Sequence, residues 1–435
     1  MTPRFSVFTP SHNPRFLRRA EASLAAQAFR DFEWLALLNN GAQYQPSLIP
    51  ARIVHHQIRT DSIGALKAEC CRLAQGEVLV ELDHDDELTP DALAVLDEAF
   101  RDPEVDFAYS NCCGILQNGG PRVYGAAWGW EGRPFQWRGR PYVQMVAFPP
   151  SPTSFGRIGN SPNHVRAWRA DFYRRIGGHD PTLPVLDDHD LLCRTYISGR
   201  KLRHIDQCLY VQNEHPGQSY LGPRNAVIQR RTLELLDRYL PRLVERWCHD
   251  GGLRQIDLCA AHRPAPGYET VDLRGAGITA DLDGDWPFAS GSVGVFRAFD
   301  ALEHLRDPVH TMKEIYRCLA PNGWLLSETP STDGRGAFQD PTHVSYWNEN
   351  SFWYYTRRDQ AAFIGTPVRF QAVRLATVCP TDYYRENNIP YVRAYLCKAA
   401  GRVPGWFEFR EQVACDDRDN PGEPGPRGEP GAPAR

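Results

Sequence analysis

The sequence predicts an α/β protein made of two sheet-containing units in tandem. Three observations carry that expectation. Between Arg4 and Asp86, short β-rich runs alternate with helical patterns at the pitch of a mostly parallel sheet. The same alternation restarts after Asp250-Gly251-Gly252. The length, 435 residues, suits two or three domains at roughly 150 residues each.

Arg4–Phe8 reads as the first strand and ends in Thr9-Pro10-Ser11-His12-Asn13. Phe16, Leu17, Ala20, Leu24 and Ala28 then recur at helical spacing. Trp34–Leu38 is a second strand, closed by Asn39-Asn40-Gly41, and Ile53–Ile58 a third. Ile63–Leu73 reads as a helix, and Val78–Leu82 as a buried strand running into Asp83-His84-Asp85-Asp86. Ligands of such sheets bind beyond the carboxyl ends of strands, so Thr9–Ser11, Asn39 and the acidic run should converge on one crevice. From Arg122 to Asn160 the pattern loosens and is rich in Gly, Pro and Trp. Regular structure returns at Arg169–Arg175, followed by Gly177-Gly178. An amphipathic helix over Asn225–Trp247 reads as a connector. Beyond it, strands are expected at Gln255–Leu258, Thr270–Leu273, Val293–Arg297 and Trp324–Glu328.

The formal charge of −4 gives no electrostatic footprint of a dedicated nucleic-acid binder. No apolar run approaches the roughly 20 residues of a membrane span, and the N-terminus lacks a signal-peptide core. The 12 cysteines are scattered and no C-x-x-C occurs, so buried thiols in a reducing compartment are expected, and with them a cytoplasmic protein. Gly and Pro number 35 each, and part of that excess lies in four G-x-y triplets after Pro421, so residues 416–435 read as a disordered collagen-like tail.

Carboxylates crowded on one turn repel unless a cation sits among them. Asp83, Asp85 and Asp86 therefore suggest Mg²⁺ or Mn²⁺ bridging to a diphosphate; the plainer alternative is an acidic turn capping the next helix. A second cluster, Asp187-Asp188-His189-Asp190, precedes an apolar helical stretch. It reads either as a helix cap or as the source of a general base for an acceptor hydroxyl.

Taken in order, Phe5–Asn13, Asn39-Asn40-Gly41, Gly64 with Lys67, Gly76-Glu77, Ile176-Gly177-Gly178 and Asp187–Asp190 resemble glycosyltransferase family 2 over about residues 1–222. The resemblance implies a GT-A fold that binds nucleotide-diphosphate sugars and transfers with inversion. By it, Thr9, Pro10 and Ser11 would line the nucleoside pocket, with Asn39 at the base edge and Lys67 near the base or diphosphate. Asp83 would lie on the sugar side, and Asp85, Asp86 and His215 would hold the metal and diphosphate. Asp188 would be the base. The family commonly has Asp, bonding a uracil N–H, where this chain has Asn39. Trp128, Trp130, Phe135 and Trp137 lie where an acceptor would enter, as stacking or packing residues.

After a connector at 223–250, a domain is expected over residues 251–400, and about residues 251–360 of it resemble a Rossmann-like class I S-adenosylmethionine methyltransferase. The resemblance rests on Ile256–Pro264, Gly267–Asp272, Ala280–Leu282, Leu302-Glu303-His304-Leu305 and Leu319–Gly323. Asp257, Asp272 and Asp281 would mark its cofactor site. Cys259 and Ala261 stand where the family needs glycines for close backbone approach, which implies a retained fold with a degenerate cofactor motif. Phe338–His343 and the aromatics Tyr346–Tyr355 would line a groove or pack as a lid.

The expected activity is metal-dependent transfer of a sugar to a glycan, lipid, protein or modified nucleobase. The alternatives are a bifunctional glycosyltransferase–methyltransferase and a glycan-binding module with inactive sites.

Overall fold

The computed structural model describes residues 2–55, 60, 62–124, 129–157, 161–215 and 224–400. The G-x-y tail, Trp128 and the residues following His215 up to 223 lie outside the described residues. The chain forms two units that divide between Leu253 and Arg254.

The strands of the first unit are β1 (Phe5–Ser11), β2 (Phe32–Leu38), β3 (Arg52–His55), β4 (Val78–Glu81), β5 (Glu87–Leu88), β6 (Val105–Ile115), β7 (Pro121–Arg122), β8 (Gly132–Trp137), β9 (Arg140–Met145), β10 (Arg166–Arg169) and β11 (Lys201–Asn213). Its helices are α1 (Pro14–Ala25), α2 (Ile63–Leu73), α3 (Ala92–Phe100), α4 (Pro152–Arg157), α5 (Ala170–Arg175), α6 (Asp187–Ser198) and α7 (Arg224–Asp250). The main sheet runs β3-β2-β1-β4-β10-β6-β11-β5. The first four strands are parallel, and β10 is antiparallel to both its neighbours.

Both faces of that sheet are covered. Phe5, Val7, Trp34 and Ala36 pack into one apolar cluster, and Phe8, Leu35 and Leu37 into another. This explains why the strands read as continuous apolar runs rather than alternating ones. The helix α2 starts on Ser62, whose Oγ accepts the Ala65 N–H at 3.2 Å. The helix α7, expected as a connector, belongs to the first unit, and its Tyr239 hydroxyl donates to Asp190 Oδ1 at 2.6 Å.

The stretch expected to be loose, Arg122–Asn160, contains the hairpin β8–β9. Its turn, Arg138-Gly139, has positive φ at both residues, 51° and 75°. Such turns favour Asn-Gly or Asp-Gly, and Pro134 and Pro141 interrupt the runs, so no strand signal is present in the sequence.

The second unit contains β12 (Arg254–Leu258), β13 (Glu269–Asp272), β14 (Ile278–Thr279), β15 (Val293–Phe299), β16 (Leu319–Pro330), β17 (Gln371–Val378) and β18 (Tyr391–Cys397). Its helices are α8 (Pro308–Cys318), α9 (Gly336–Gln339), α10 (Glu349–Thr356), α11 (Arg358–Phe363) and α12 (Asp382–Glu386). The sheet order is β14-β13-β12-β15-β16-β18-β17, parallel except for β18. The order reverses between β12 and β15, the switch point where doubly wound sheets open a crevice. The crossover from β12 to β13 is residues 259–268 and contains no helix. Parallel neighbours are usually joined through one.

Gly64 fixes how α2 meets the start of α6. A Cβ there would lie 2.6 Å from the Asp180 carbonyl oxygen and 2.8 Å from Asp187 Cβ. Backbone cannot yield cheaply at such distances, so Gly64→Ala should lower stability by about 1–3 kcal/mol. Urea unfolding checks this, and an unchanged midpoint would contradict the packing described.

Candidate active site

The carboxyl ends of β1, β2 and β4 present Ser11, Asn39 and Asp83 on one side of the first unit. Thr9 is fully buried, and its Oγ1 accepts from Trp34 Nε1 at 3.1 Å, so its side chain faces the core instead of a pocket. Ser11 Oγ lies 2.8 Å from His84 Nδ1. Asn39 donates its amide Nδ2 to the Thr60 carbonyl at 2.7 Å, while its buried Oδ1 has no hydrogen-bond partner. Folding has thus consumed the donor of this side chain and left its acceptor.

Below these tips lies a buried charge network. Glu81, the one charged residue of β4, is fully buried and pairs with Lys67 from α2. His164 Nε2 approaches the other Glu81 oxygen at 3.4 Å, and Arg166 Nη1 approaches it at 3.6 Å. Burial alone would raise the Glu81 carboxyl, but Lys67, His164 and Arg166 outweigh it and hold it well below the ordinary range. Lys67 also lies 3.6 Å from Asp83, and His164 Nε2 the same distance from the other Asp83 oxygen. Lys67 was expected beside base or diphosphate. It is instead a buried partner of carboxylates, its ammonium held charged by Asp83 and Glu81 against desolvation.

Arg166 links this network to α6. Its Nη1 donates to Asp188 Oδ2 at 3.1 Å, and Asp188 Oδ1 accepts the His189 N–H at 2.8 Å. Burial pushes the Asp188 carboxyl up, yet Arg166 and Lys67 pull harder and leave it below its usual value. The Asp188 side chain is 16% exposed and that of Asp187 5%, so Asp188 is the one that reaches solvent. Leu186, immediately before α6, adopts φ +62°, which turns the chain sharply into the helix.

A second group forms around Asp85. His215 Nε2 lies 2.8 Å from Asp85 Oδ2, and one ligand atom each of His84, Asp85 and His215 falls within 4.8 Å of the others. Phe16 packs against both imidazoles, with ring centroids 5.2 Å from His84 and 4.4 Å from His215. Asp86, read from the sequence as a metal ligand, stands apart from this group. Its carboxyl is buried, accepts the Asn213 N–H at 2.8 Å, and is raised well above the ordinary range by burial and then by Asp85 and Asp83. It anchors the acidic turn to β11.

Glu81, His84, His164 and Arg166 were not singled out in the sequence. A lone Glu inside an apolar strand was the available signal, because a buried charge requires a partner. Of the aromatics expected at an acceptor entrance, Trp130 is buried against Phe148 and Met145, whereas Phe135 and Trp137 are only partly buried beside the Cys113 cluster.

The second unit treats its three expected cofactor aspartates differently. Asp257 is fully buried, pairs with Arg297 Nη1 at 2.9 and 3.0 Å, and accepts the Ala265 N–H. Asp272 accepts the Ala261 N–H at 3.1 Å and the Leu273 N–H at 2.7 Å. Asp281 accepts the Asp283 N–H at 3.0 Å. Cys259 adopts φ +54°, the backbone region a glycine would occupy without strain. Trp347, Phe352 and Tyr355 pack in the core, while Phe338 and Tyr346 are exposed.

The folds define a GT-A-type nucleotide-diphosphosugar transferase sheet followed by a Rossmann-like sheet. Residues 6–156 match the family model described as glycosyl transferase family 2, and residues 223–362 match one described as a methyltransferase domain. The chain therefore carries, in tandem, one stretch that matches a glycosyltransferase family 2 model and one that matches a methyltransferase model. A curated relative, the tRNA U34 carboxymethyltransferase of Methylococcus capsulatus, is 26% identical over 161 residues, covering 33% of this chain. The matched region spans 45% of that relative's length. Among solved structures, S. aureus TarS 1–349 is 16% identical with a TM-score of 0.39, covering 57% of this chain and 72% of TarS 1–349. TarS 1–349 in complex with UDP-GlcNAc is 15% identical with a TM-score of 0.41, covering 57% and 73%.

Burial raises the Asp187 carboxyl to about 7, with Lys67 opposing and Asp188 adding to the shift. Its Oδ2 has no hydrogen-bond partner and lies 3.8 Å from His179 Nε2. Between an ordinary carboxyl pKa near 4 and about 7, the folded chain keeps a proton that the unfolded chain has released. Its contribution to stability is therefore full at low pH and lost as pH rises through that window. Thermal melting across the window should fall less steeply in Asp187→Asn than in the parent chain. Parallel curves would show that Asp187 titrates normally.

Proposed function

We propose that the first unit transfers a sugar from a nucleotide-diphosphate donor to an acceptor hydroxyl, with Asp188 as general base. The observation that carries this reading is the division of labour among the carboxylates. Lys67 and Arg166 neutralise Glu81 and approach Asp83 and Asp188. Asp85, by contrast, has only an imidazole, His215, as its ion-pair partner among the described residues. A carboxylate flanked by two imidazoles, at the carboxyl end of a parallel strand, suits a divalent cation.

Asp85, His84 and His215 would hold that cation, and the imidazoles favour Mn²⁺ over the oxygen-seeking Mg²⁺. Bound there, it would supply positive charge to the departing diphosphate. Asn39 would orient the base: with its amide committed to Thr60, Oδ1 can only accept, as an Asp carboxylate would, and it suits an imino N–H such as that of uracil. Asp188 would take the acceptor's proton. Arg166 and the N-terminus of α6 keep its carboxyl ionised and fix its orientation, at the expense of some basicity. Pairing to Arg166 also places its working range below the usual carboxylate pKa, so Asp188 remains a base at every pH near neutrality.

Asp188→Asn should retain donor binding, read by a thermal shift with a UDP-sugar and Mn²⁺, and lose about 10²–10⁴-fold in transfer. EDTA and Asp85→Ala should each abolish transfer. An Asp188→Asn chain that transfers at the parent rate would remove the base assignment. Failure of UDP-, GDP- and dTDP-sugars alike to shift the melting temperature would remove the glycosyltransferase reading.

For the second unit we infer a retained scaffold rather than a methyl-donor site. Asp257 and Asp272 spend their carboxylates on Arg297 and on the backbone of the very loop that would receive the cofactor. That loop leads into no helix before β13, so no helix N-terminus is available there. Calorimetry of the full chain with S-adenosylmethionine should give no binding heat up to millimolar ligand. Micromolar affinity would instead favour the bifunctional enzyme.

A further inference from the structure

The crevice of the second unit holds a side-chain group that the cofactor reading does not use. Glu303 and His304 lie in a 3-10 turn, Leu302–His304, that follows β15. His343 comes from the segment after α9. One ligand atom of each of the three falls within 4.8 Å of the others.

Each member is oriented by a neighbour that leaves a lone pair over. The Thr329 hydroxyl of β16 donates to Glu303 Oε2. Glu303 is 2% exposed, yet its Oε1 has no hydrogen-bond partner. Desolvating a carboxylate oxygen with nothing in return is costly, so this atom points to a missing partner. His304 Nδ1 faces the Thr342 carbonyl at 3.2 Å, and His343 Nδ1 faces the Ala337 carbonyl at 3.0 Å. A carbonyl only accepts, so hydrogen on Nδ1 of each ring satisfies these contacts and would leave the Nε2 lone pair for a ligand. Backbone or carboxylate contacts of this kind set the tautomer of metal-bound histidines. Main-chain bonds hold the cluster together: the Glu303 carbonyl accepts the N–H groups of Val344 at 2.8 Å and Ser345 at 3.0 Å. Among the described residues, none of the three forms an ion pair with Lys or Arg; Arg306 pairs with Asp283 and Arg393 with Glu328.

We propose that Glu303, His304 and His343 form a divalent transition-metal site in the second unit. One carboxylate and two imidazoles suit Fe²⁺, Mn²⁺, Co²⁺ or Zn²⁺ rather than Ca²⁺ or Mg²⁺. Three protein ligands leave coordination positions open for an oxygen of a bound molecule. In the chain His343 falls between Phe338 and Tyr346, whose exposed rings stack with centroids 5.3 Å apart. The site stands independently of the glycosyltransferase reading.

The test uses the full chain, stripped of metal, in a His215→Ala background that weakens the first unit's cluster. Titration with Co²⁺, followed by its visible absorption bands, should report one bound equivalent. His304→Ala and His343→Ala, both at partly exposed positions, should each weaken Co²⁺ binding by about tenfold or more, with the metal-free melting temperature unchanged. Glu303→Gln should do the same while preserving side-chain volume. Absence of Co²⁺ bands in the background chain would overturn the proposal. So would unchanged affinity and stoichiometry in the His304→Ala/His343→Ala double variant.

Discussion

The first unit depends on the pairing of two buried cations with one buried anion. Lys67, Arg166 and Glu81 are each at most 5% exposed, and they come from α2, β10 and β4. Removing one partner from such a pair leaves an uncompensated charge, typically at a cost of about 3–5 kcal/mol. Each element is therefore locked to the others in one arrangement. The surplus positive charge is what reaches the crevice: Lys67 approaches Asp83, and Arg166 bonds Asp188. The carboxylates at the surface of the site are thus positioned by cations beneath them. Asp85 forms an ion pair with neither among the described residues, which is the ground on which it is proposed as a ligand of a cation from outside the chain.

Much of this was legible in the sequence where a pattern is local. The helix α2 follows from spacing over Ile63–Leu73, and β4 from an apolar run that ends in acid. The placement of Asn39 and the acidic turn at strand ends follows from the parallel topology alone. What the sequence does not display is pairing across long separations. Arg166 and His164 carry no signal in the sequence, and their role emerges only when β10 is seen beside β4. The roles of adjacent acids are equally hidden. Asp85 and Asp86 differ by one position, yet one faces His215 and the other the backbone of β11. Strand direction and turn geometry decide that, and neither is a property of composition.

The second unit shows the reverse case, in which a sequence departure has a visible structural counterpart. Cys259 keeps the left-handed backbone of a glycine, so the turn after β12 survives the substitution. No helix lies between β12 and β13, and the loop there donates from Ala265 to Asp257 and from Ala261 to Asp272. Carboxylates that would otherwise face a ligand are satisfied from within. The core on which the strands depend is meanwhile intact: Ile256, Leu258, Val271 and Phe296 are all fully buried in one cluster.

Unbonded buried atoms give the sharpest physical pointer to function in both units, provided their neighbours are read with them. Asp187 Oδ2 is such an atom, but His179 Nε2 lies 3.8 Å from it. Ser327 Oγ is another, and its hydroxyl hydrogen is free to rotate. Asn39 Oδ1 and Glu303 Oε1 are different. In each, the other polar atom of the same group is held by a partner, Thr60 or Thr329, so the side chain cannot rotate away to find a bond. Each also lies at the carboxyl end of parallel strands, where these sheets receive ligands. A fixed acceptor, buried at such a place, is complementary to a donor or a cation that folding does not supply. Asn39 would suit an N–H, and Glu303, grouped with two imidazoles, would suit a metal.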